Sequence, residues 1–355
     1  MPNSSRIAMM RDAGFLALAA DSLYVAVGAR CLKLDVVTGQ TTAEFTVPRK
    51  GREWGYIATD GNDLFGSAQK VGASYTAART GRGAVGNQLG RGNNRSVITS
   101  TSLFCLDRQT GKLRWTYDGK SAIANAAICA DEQRLYFIES VAPQAMSDTA
   151  GRVQLAAFTD GPGEHITCLD RKTGAVVWRH QRELLLHHVM HLSCSQGVVV
   201  ANGCRSHNKD FWYHLRAYNA ADGKPMWEQD VPSGFGTRDT DHGKQDKHAM
   251  IIGNAVYLKQ GNFDLRTGRP LGYRFPTSNC AECSSSLKHI FSRNGGSPSS
   301  FALNGKGTGK MLCSAMRPGC YISIIPAGGI VMMPALSAGC TCGYTLQTSI
   351  GWLPR

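Results

Sequence analysis

No run of about 18 or more apolar residues occurs in the 355-residue chain, so nothing in it reads as a membrane-spanning helix. The first 27 residues make no convincing export signal, because Asp12 and Asp21 interrupt their apolar part and a strand-like pattern has already begun there. HExxH is absent, which removes the commonest helical zinc-hydrolase signature. No two cysteines are adjacent, and "CAEC" (Cys280 to Cys283) is followed by Ser284 rather than by the histidine that c-type haem attachment requires. Acidic residues are scarce: 26 Asp and Glu face 39 Lys and Arg, a formal net charge of +13. Such a surface attracts polyanions. The basic residues are spread out, however, and the locally basic stretch Tyr75 to Ser96 lacks the interleaved aromatics of a base-stacking surface. Nucleic acid is therefore not the favoured partner.

What is present is a repeated phrase. "CLDRQTGKLRW" spans Cys105 to Trp115 and "CLDRKTGAVVW" spans Cys168 to Trp178. Aligned on Asp107 and Asp170, each has Thr at +3, Gly at +4 (Gly111, Gly174) and Trp at +8. Weaker copies carry Asp35 with Gly39, Asn219 with Gly223 and Trp227, and Asp264 with Gly268. An apolar strand leads into each Asp or Asn, whose side chain can bond the next backbone amides, and the glycine supplies a positive φ at the end of the turn. A second strand comes next, and its tryptophan can lie flat on a neighbouring unit. Each phrase is thus read as the third and fourth strands of a four-stranded unit. "FLALAADSLYVAVG" and "IANAAICADEQRLYFIES" supply the first two strands upstream of two copies.

Four strands per unit, repeated along the chain, predict an all-β fold, a β-propeller of four-stranded antiparallel blades like that of WD40 repeats. The count comes to seven blades, with eight as the alternative, in a single domain over residues 1–355. Uneven spacing between copies places insertions near residues 71–98 and 142–163. Insertions in such repeats gather on one face, often the binding face.

The phrase resembles the repeat of the pyrroloquinoline-quinone-like (PQQ-like) propellers, a superfamily that includes quinoprotein alcohol dehydrogenases and the outer-membrane β-barrel assembly lipoprotein. The ending "RPGCYISIIPAGGIVMMPALSAGCTCGYTLQTSIGW" is similar to that of large PQQ-like repeat proteins of planctomycete-type bacteria. That likeness implies that the chain is the C-terminal part of a longer product. It also implies a periplasmic or otherwise exported protein, provided an upstream signal precedes this sequence. A quinone enzyme of this superfamily would carry a vicinal disulfide and a calcium-anchored catalytic Asp with Glu and Asn, and this sequence matches neither motif. PQQ catalysis is not expected, and the first reading is a scaffold that binds a protein partner or an anionic ligand at its loop face.

Two groups of residues remain as candidates for chemistry. Seven of the ten histidines fall between His187 and His248. "LLLHHVMHLSC" reads as an innermost strand, with His187 and His191 on one side and His188 on the other. His242 and His248 precede the next such strand. Together these five could hold a divalent metal, supply a general base, or simply bond blade loops. The metal reading would make the protein an enzyme with a His-lined centre acting on an anionic glycan; a degenerate quinoprotein is the other enzymatic alternative. The second group is Cys280, Cys283, Cys313, Cys320, Cys340 and Cys342, in Gly/Ser/Pro-rich sequence, which suits disulfides, buried thiols or a zinc site. Cys31, Cys105, Cys129, Cys168, Cys194 and Cys204 lie in or beside strand-like runs and read as small buried apolar groups. Arg317, before a Pro-Gly turn, could meet a carboxylate or sulfate, or be a surface turn residue.

Overall fold

The computed structural model describes residues 15–73, 96–159, 163–182, 184, 189–207, 210–232, 248–258, 261–272, 275, 283–294, 296–303, 309–314, 318, 324–327, 329–333 and 349–353. These fall into two compact units. The first runs to Ala201 and also takes in Tyr218–Pro225; the second holds Asn202–Ala217 and the chain from Met226 onward.

The strands come in consecutive groups. β1 (Leu16–Leu18), β2 (Ser22–Val27), β3 (Arg30–Asp35) and β4 (Thr41–Thr46) form one antiparallel sheet in that order. Next come β5 (Arg52–Asp60), β6 (Asp63–Lys70), β7 (Ser96–Asp107) and β8 (Leu113–Tyr117). The third group is β9 (Ala122–Ala130), β10 (Arg134–Ser140), β12 (Glu164–Asp170) and β13 (Val176–Gln181), with β11 (Arg152–Gln154) inserted between β10 and β12. β14 (Val189–Ser195), β15 (Val198–His207), β16 (Asp210–Asn219) and β17 (Pro225–Pro232) make a further four-stranded sheet. Three smaller sheets complete the order: β18 (Met250–Ile252), β19 (Ala255–Leu258) and β20 (Gly261–Asp264); β21 (Ser284–Ser285), β22 (His289–Asn294), β23 (Ser297–Ala302) and β24 (Gly309–Met311); and β25 (Ile325–Ala327), β26 (Ile330–Met333) and β27 (Ile350–Trp352).

Each copy of the phrase folds as its chemistry dictates. Oδ1 of Asp35 accepts from the amides of Val37 (3.0 Å) and Thr38 (2.7 Å) and from the Thr38 hydroxyl (2.9 Å). Asp107, Asp170 and Asp264 repeat this set of three bonds. Asn219 keeps one of them, to the Ala221 amide at 2.8 Å. The amide donors and the threonine hydroxyl hold the carboxyls of Asp35, Asp170 and Asp264 below the usual carboxylate range. Asp107 is held lowest, because Arg114 also donates to it at 2.6 Å. The glycines of the five turns have φ between 69° and 72°.

The turn is also a joint between neighbouring groups. Gly174 lies under Trp115, close enough that a Cβ there would stand 2.7 Å from the indole, and Gly223 lies in the same way under Trp178. In the second unit Gly268 lies under Trp227. Each indole N–H donates to the carbonyl just after the next turn's Asp or Asn: Trp115 to Arg171 (2.8 Å), Trp178 to Ala220 (3.0 Å) and Trp227 to Leu265 (2.9 Å). The first group has no tryptophan at this place. Phe45 covers Gly111 there, and the hydroxyl of Tyr24 supplies the missing donor, to Arg108 O at 2.8 Å. Cys105 and Cys168 stand directly opposite Trp115 and Trp178 across the strand pair. They are buried, as is Cys31, and burial pushes these three thiols up to about 12.

The arginine of the phrase completes the joint. Arg171 donates to both Asp60 and Asp63 and to the carbonyls of Asp60 and Asp131, and it lies over the Phe65 ring. Arg108 does the same work one group earlier, on Asp21 (2.5 Å) and Gly61 O (2.6 Å).

Candidate functional site

The two insertions meet. β7 is twice the usual length because Ser96–Ile98, the end of the first insertion, extend it past Ser100, its last partner on β6. This N-terminal part pairs on one side with β9 of the next group, Thr99 opposite Ala124 and Ser100 opposite Ile123. On its other side it pairs with β11 of the second insertion, Ser96 to Ile98 opposite Gln154 to Arg152. The result merges the second and third strand groups into one nine-stranded sheet. Short helices at Pro143–Ser147 and Leu155–Phe158 flank β11. Val97, Ala142, Ala145, Val153, Leu155 and Phe158 bury their apolar atoms with Ala124, Met190 and Leu192 of the strands below. Lys70 binds the Asp148 carbonyl, Arg152 the Ala73 carbonyl at 3.2 Å, and Thr99 N the Gly151 carbonyl at 2.9 Å. The described ends of the two insertions thus pack together in the first unit.

A buried polar cluster lies at the root of these packed ends. The hydroxyls of Ser67 and Ser100 stand 3.0 and 2.7 Å from Asn125 Oδ1 and 2.8 Å from each other. Asn125 Nδ2 donates to Gln69 Oε1 at 3.2 Å. Gly55 closes the cluster, for a Cβ there would strike Asn125, Ser100 and Ser67 together. The set holds hydroxyls and amides but no acid or base, so neither serine has a partner that could take its proton. Its role is to fix the strands from which the insertions rise. A second network surrounds the fully buried Glu139. Tyr117 OH (3.1 Å), Ser121, Thr167 Oγ1 (2.6 Å) and Arg179 Nε (2.6 Å) all donate to its carboxylate. Every one of those donors is committed to the carboxylate, and the site is closed.

Of the histidines singled out in the sequence, His191 lies half-buried on β14, the first strand of its four-stranded sheet. His248 stands just before β18. Its side chain keeps exposed surface, yet the protein massed around it desolvates the imidazole and pushes its pKa down to about 4. His187, His188 and His242 lie outside the described residues. Cys283 precedes β21, and Cys313 comes after β24 as a free thiol. Cys280, Cys320, Cys340, Cys342 and Arg317 are outside the described residues. Among the described residues no three His, Cys, Asp or Glu side chains are grouped so as to hold a metal ion.

The structure also brings together three residues that the sequence did not connect. Burial pushes the Tyr56 hydroxyl on β5 and the Cys129 thiol on β9 well above their ordinary values, and Cys194 on β14 raises both further. Cys129 and Cys194 are partly exposed, so the expectation of small buried groups holds for Cys31, Cys105, Cys168 and Cys204 but not for these two.

Residues 34–279 match a family described as outer membrane protein assembly factor BamB, of the PQQ-like repeats. The match spans well over half of the chain, which belongs to this PQQ-like repeat family, and the fold is of the β-propeller class. Among solved structures, BamB from Moraxella catarrhalis is similar, with 13% identity and a TM-score of 0.50 over 95% of this chain and 80% of that one. Quinohemoprotein alcohol dehydrogenase from Comamonas testosteroni has 10% identity and a TM-score of 0.54, covering 94% of this chain and 64% of that one. A chain of the mitotic checkpoint complex has 11% identity and a TM-score of 0.52, covering 94% and 86%. At such identities these likenesses concern the fold alone. No curated protein matches the sequence.

Proposed function

We propose that this chain is a non-enzymatic scaffold that docks an acidic protein partner on the face carrying the two insertions. The observation that carries this reading is the pairing of β11 with the extension of β7, which joins the described ends of two separate insertions. Along the joined segments Val71, Val141 and Met146 keep 65%, 39% and 45% of their surface exposed, apolar groups of the kind partners cover. The first insertion also carries Arg79, Arg82, Arg91 and Arg95, and the chain as a whole is basic, which favours an acidic partner. The family model is described as an assembly factor, a role in keeping with a docking scaffold. An exported, periplasmic location, a single propeller of seven blades and the absence of bound quinone complete the proposal.

A photo-cross-linking residue at Met146, with one at Thr41 on β4 as control, tests it in the native cell. One dominant protein adduct from position 146, absent from position 41 and lost when Val71→Asp is added, is the expected result. Identical adducts from both positions, or none from either, would overturn it. Stoichiometric metal in the purified protein, lost in a His188→Ala/His191→Ala variant, would put the His-lined enzyme in its place.

A further inference from the structure

The buried carboxylate of Glu139 grips an arginine by one nitrogen only. Tyr117 OH lies 3.2 and 3.1 Å from its two oxygens, and Ser121 also donates to Oε2. Thr167 Oγ1 and Arg179 Nε both donate to Oε1 at 2.6 Å. Three hydroxyls therefore crowd the carboxylate, and the guanidinium does not make the two-bond fork that an open carboxylate receives. Nη1 and Nη2 take no part, for Glu139 is the one partner of Arg179 among the described residues. The Arg179 side chain is 34% exposed and that of Glu139 0%. A guanidinium held from inside thus turns its outer end to solvent.

The fold sets this group beside an insertion. β13, which carries Arg179, is the outermost strand of the nine-stranded sheet. Arg179 stands opposite Thr167 and Gln181 opposite His165, which in turn faces Glu139 on β10. From there β10 runs into the second insertion, whose base is closed by Val141 N bonding the Gly163 carbonyl at 2.9 Å. Gln181, two residues beyond Arg179, lies on the same side of β13 and is exposed. Every one of these residues belongs to the first unit.

We propose that the outer fork of Arg179 seats an acidic side chain of the docked partner, its two carboxylate oxygens accepting from Nη1 and Nη2 side by side. The occupant rests on the docking reading; the proposal adds the residue that selects for acid. Glu139 has already fixed the guanidinium, so little side-chain freedom is left to lose on binding. The inner carboxylate shares its charge among four donors, and the chain's net charge of +13 favours a second anion. In the neighbouring turn Lys120 is exposed, while Asp118 is paired with Arg49 at 2.5 Å. A lysine at position 179 would supply charge without the fork.

The test uses the full chain, labelled with 15N, and a hexaglutamate peptide as probe. The Arg179 Nε–H resonance, assigned by its loss in Arg179→Lys, should shift and saturate with hexaglutamate and stay in place with hexaglutamine. Binding of the labelled peptide, read by fluorescence anisotropy, should weaken about tenfold in Arg179→Lys. Gln181→Glu should weaken it as well, because it sets a like charge beside the fork and leaves the bond to Glu139 intact. An unmoved resonance, or equal affinity in Arg179→Lys, would overturn the proposal. So would acetate displacing the peptide at equal carboxylate concentration, which would mark a site for small carboxylates. Cross-linking from Met146 separates the two readings. An adduct there with an unmoved Arg179 resonance would end this proposal alone, and a saturable Arg179 shift without an adduct would end the docking reading alone.

Discussion

The strand groups that carry the phrase and those after Phe275 solve the same problem with different means. In the former a carboxylate closes four of the five turns with three hydrogen bonds, a glycine ends each, and at three of them a tryptophan of the preceding group packs on that glycine while donating to the carbonyl beside it. In the latter Ser286 caps its turn through two longer bonds, to Lys288 at 3.3 Å and His289 at 3.1 Å. No indole joint occurs there among the described residues. The buried apolar cluster at that place is small, Phe275, Ile290 and Phe301, against the extensive clusters of the first unit. The difference shows what the phrase contributes. It is a joint that lets short strands of modest apolar content hold their neighbours, and where it is missing the sheets are shorter and more exposed.

The comparison can be broken at its strongest point first. Glu139→Ala should cost about 4 kcal/mol, because Arg179, Tyr117 and Thr167 lose a shared buried acceptor. Urea unfolding of the first unit's transition would report it. Arg171→Ala takes one of two guanidiniums from Asp63, which keeps Arg114 at 2.5 Å, and uncovers Phe65, an expected loss of about 2 kcal/mol in the same assay. Trp178→Phe keeps most of the packing on Gly223 but removes the donor to Ala220 O, so about 1.5 kcal/mol is expected. Asp107→Asn should cost about 1 kcal/mol, through loss of the Arg114 pair and a weaker cap.

Acid should separate the two regions as well. The motif carboxyls are lowered in the folded state by the amides, the threonines and, at Asp107, by Arg114. Their contribution is complete above the ordinary aspartate pKa of about 3.9 and is lost as pH falls through the lower folded values. His248 acts at milder pH. Its imidazole is lowered to about 4, so its contribution is complete above about 6.5 and declines between there and 4 as the unfolded chain takes up a proton first. A melting series from pH 7.5 to about 2 should show the upper phase and the onset of the lower one, and His248→Gln should diminish only the upper one.

Much of this architecture was legible. The positions of Asp, Thr, Gly and Trp state a turn and a packing contact, and both are present. The two insertions were visible as uneven spacing. Their union was not, because Ser96–Ile98 and Arg152–Gln154 are short, distant in sequence and carry no pattern that names a partner. Nothing in the sequence marks the role of Arg108 and Arg171, since their partners lie in earlier groups. Glu139 was concealed inside an apolar strand, where only its network explains it. Cys129 and Cys194 looked like the other strand cysteines, and their partial exposure is a fact of topology rather than of local sequence.

The central claim is that the phrase acts as a joint between strand groups, and two glycines test it side by side. Gly39 and Gly174 share φ near +70°, but a Cβ at Gly39 meets nothing within 4 Å, whereas one at Gly174 strikes Trp115. Unfolding free energies of Gly39→Ala and Gly174→Ala should differ by about 2 kcal/mol, the first losing about 1 from backbone strain alone and the second about 3. Equal losses would contradict the account, for they would mean that the turn is merely a turn and that the tryptophan above it contributes nothing.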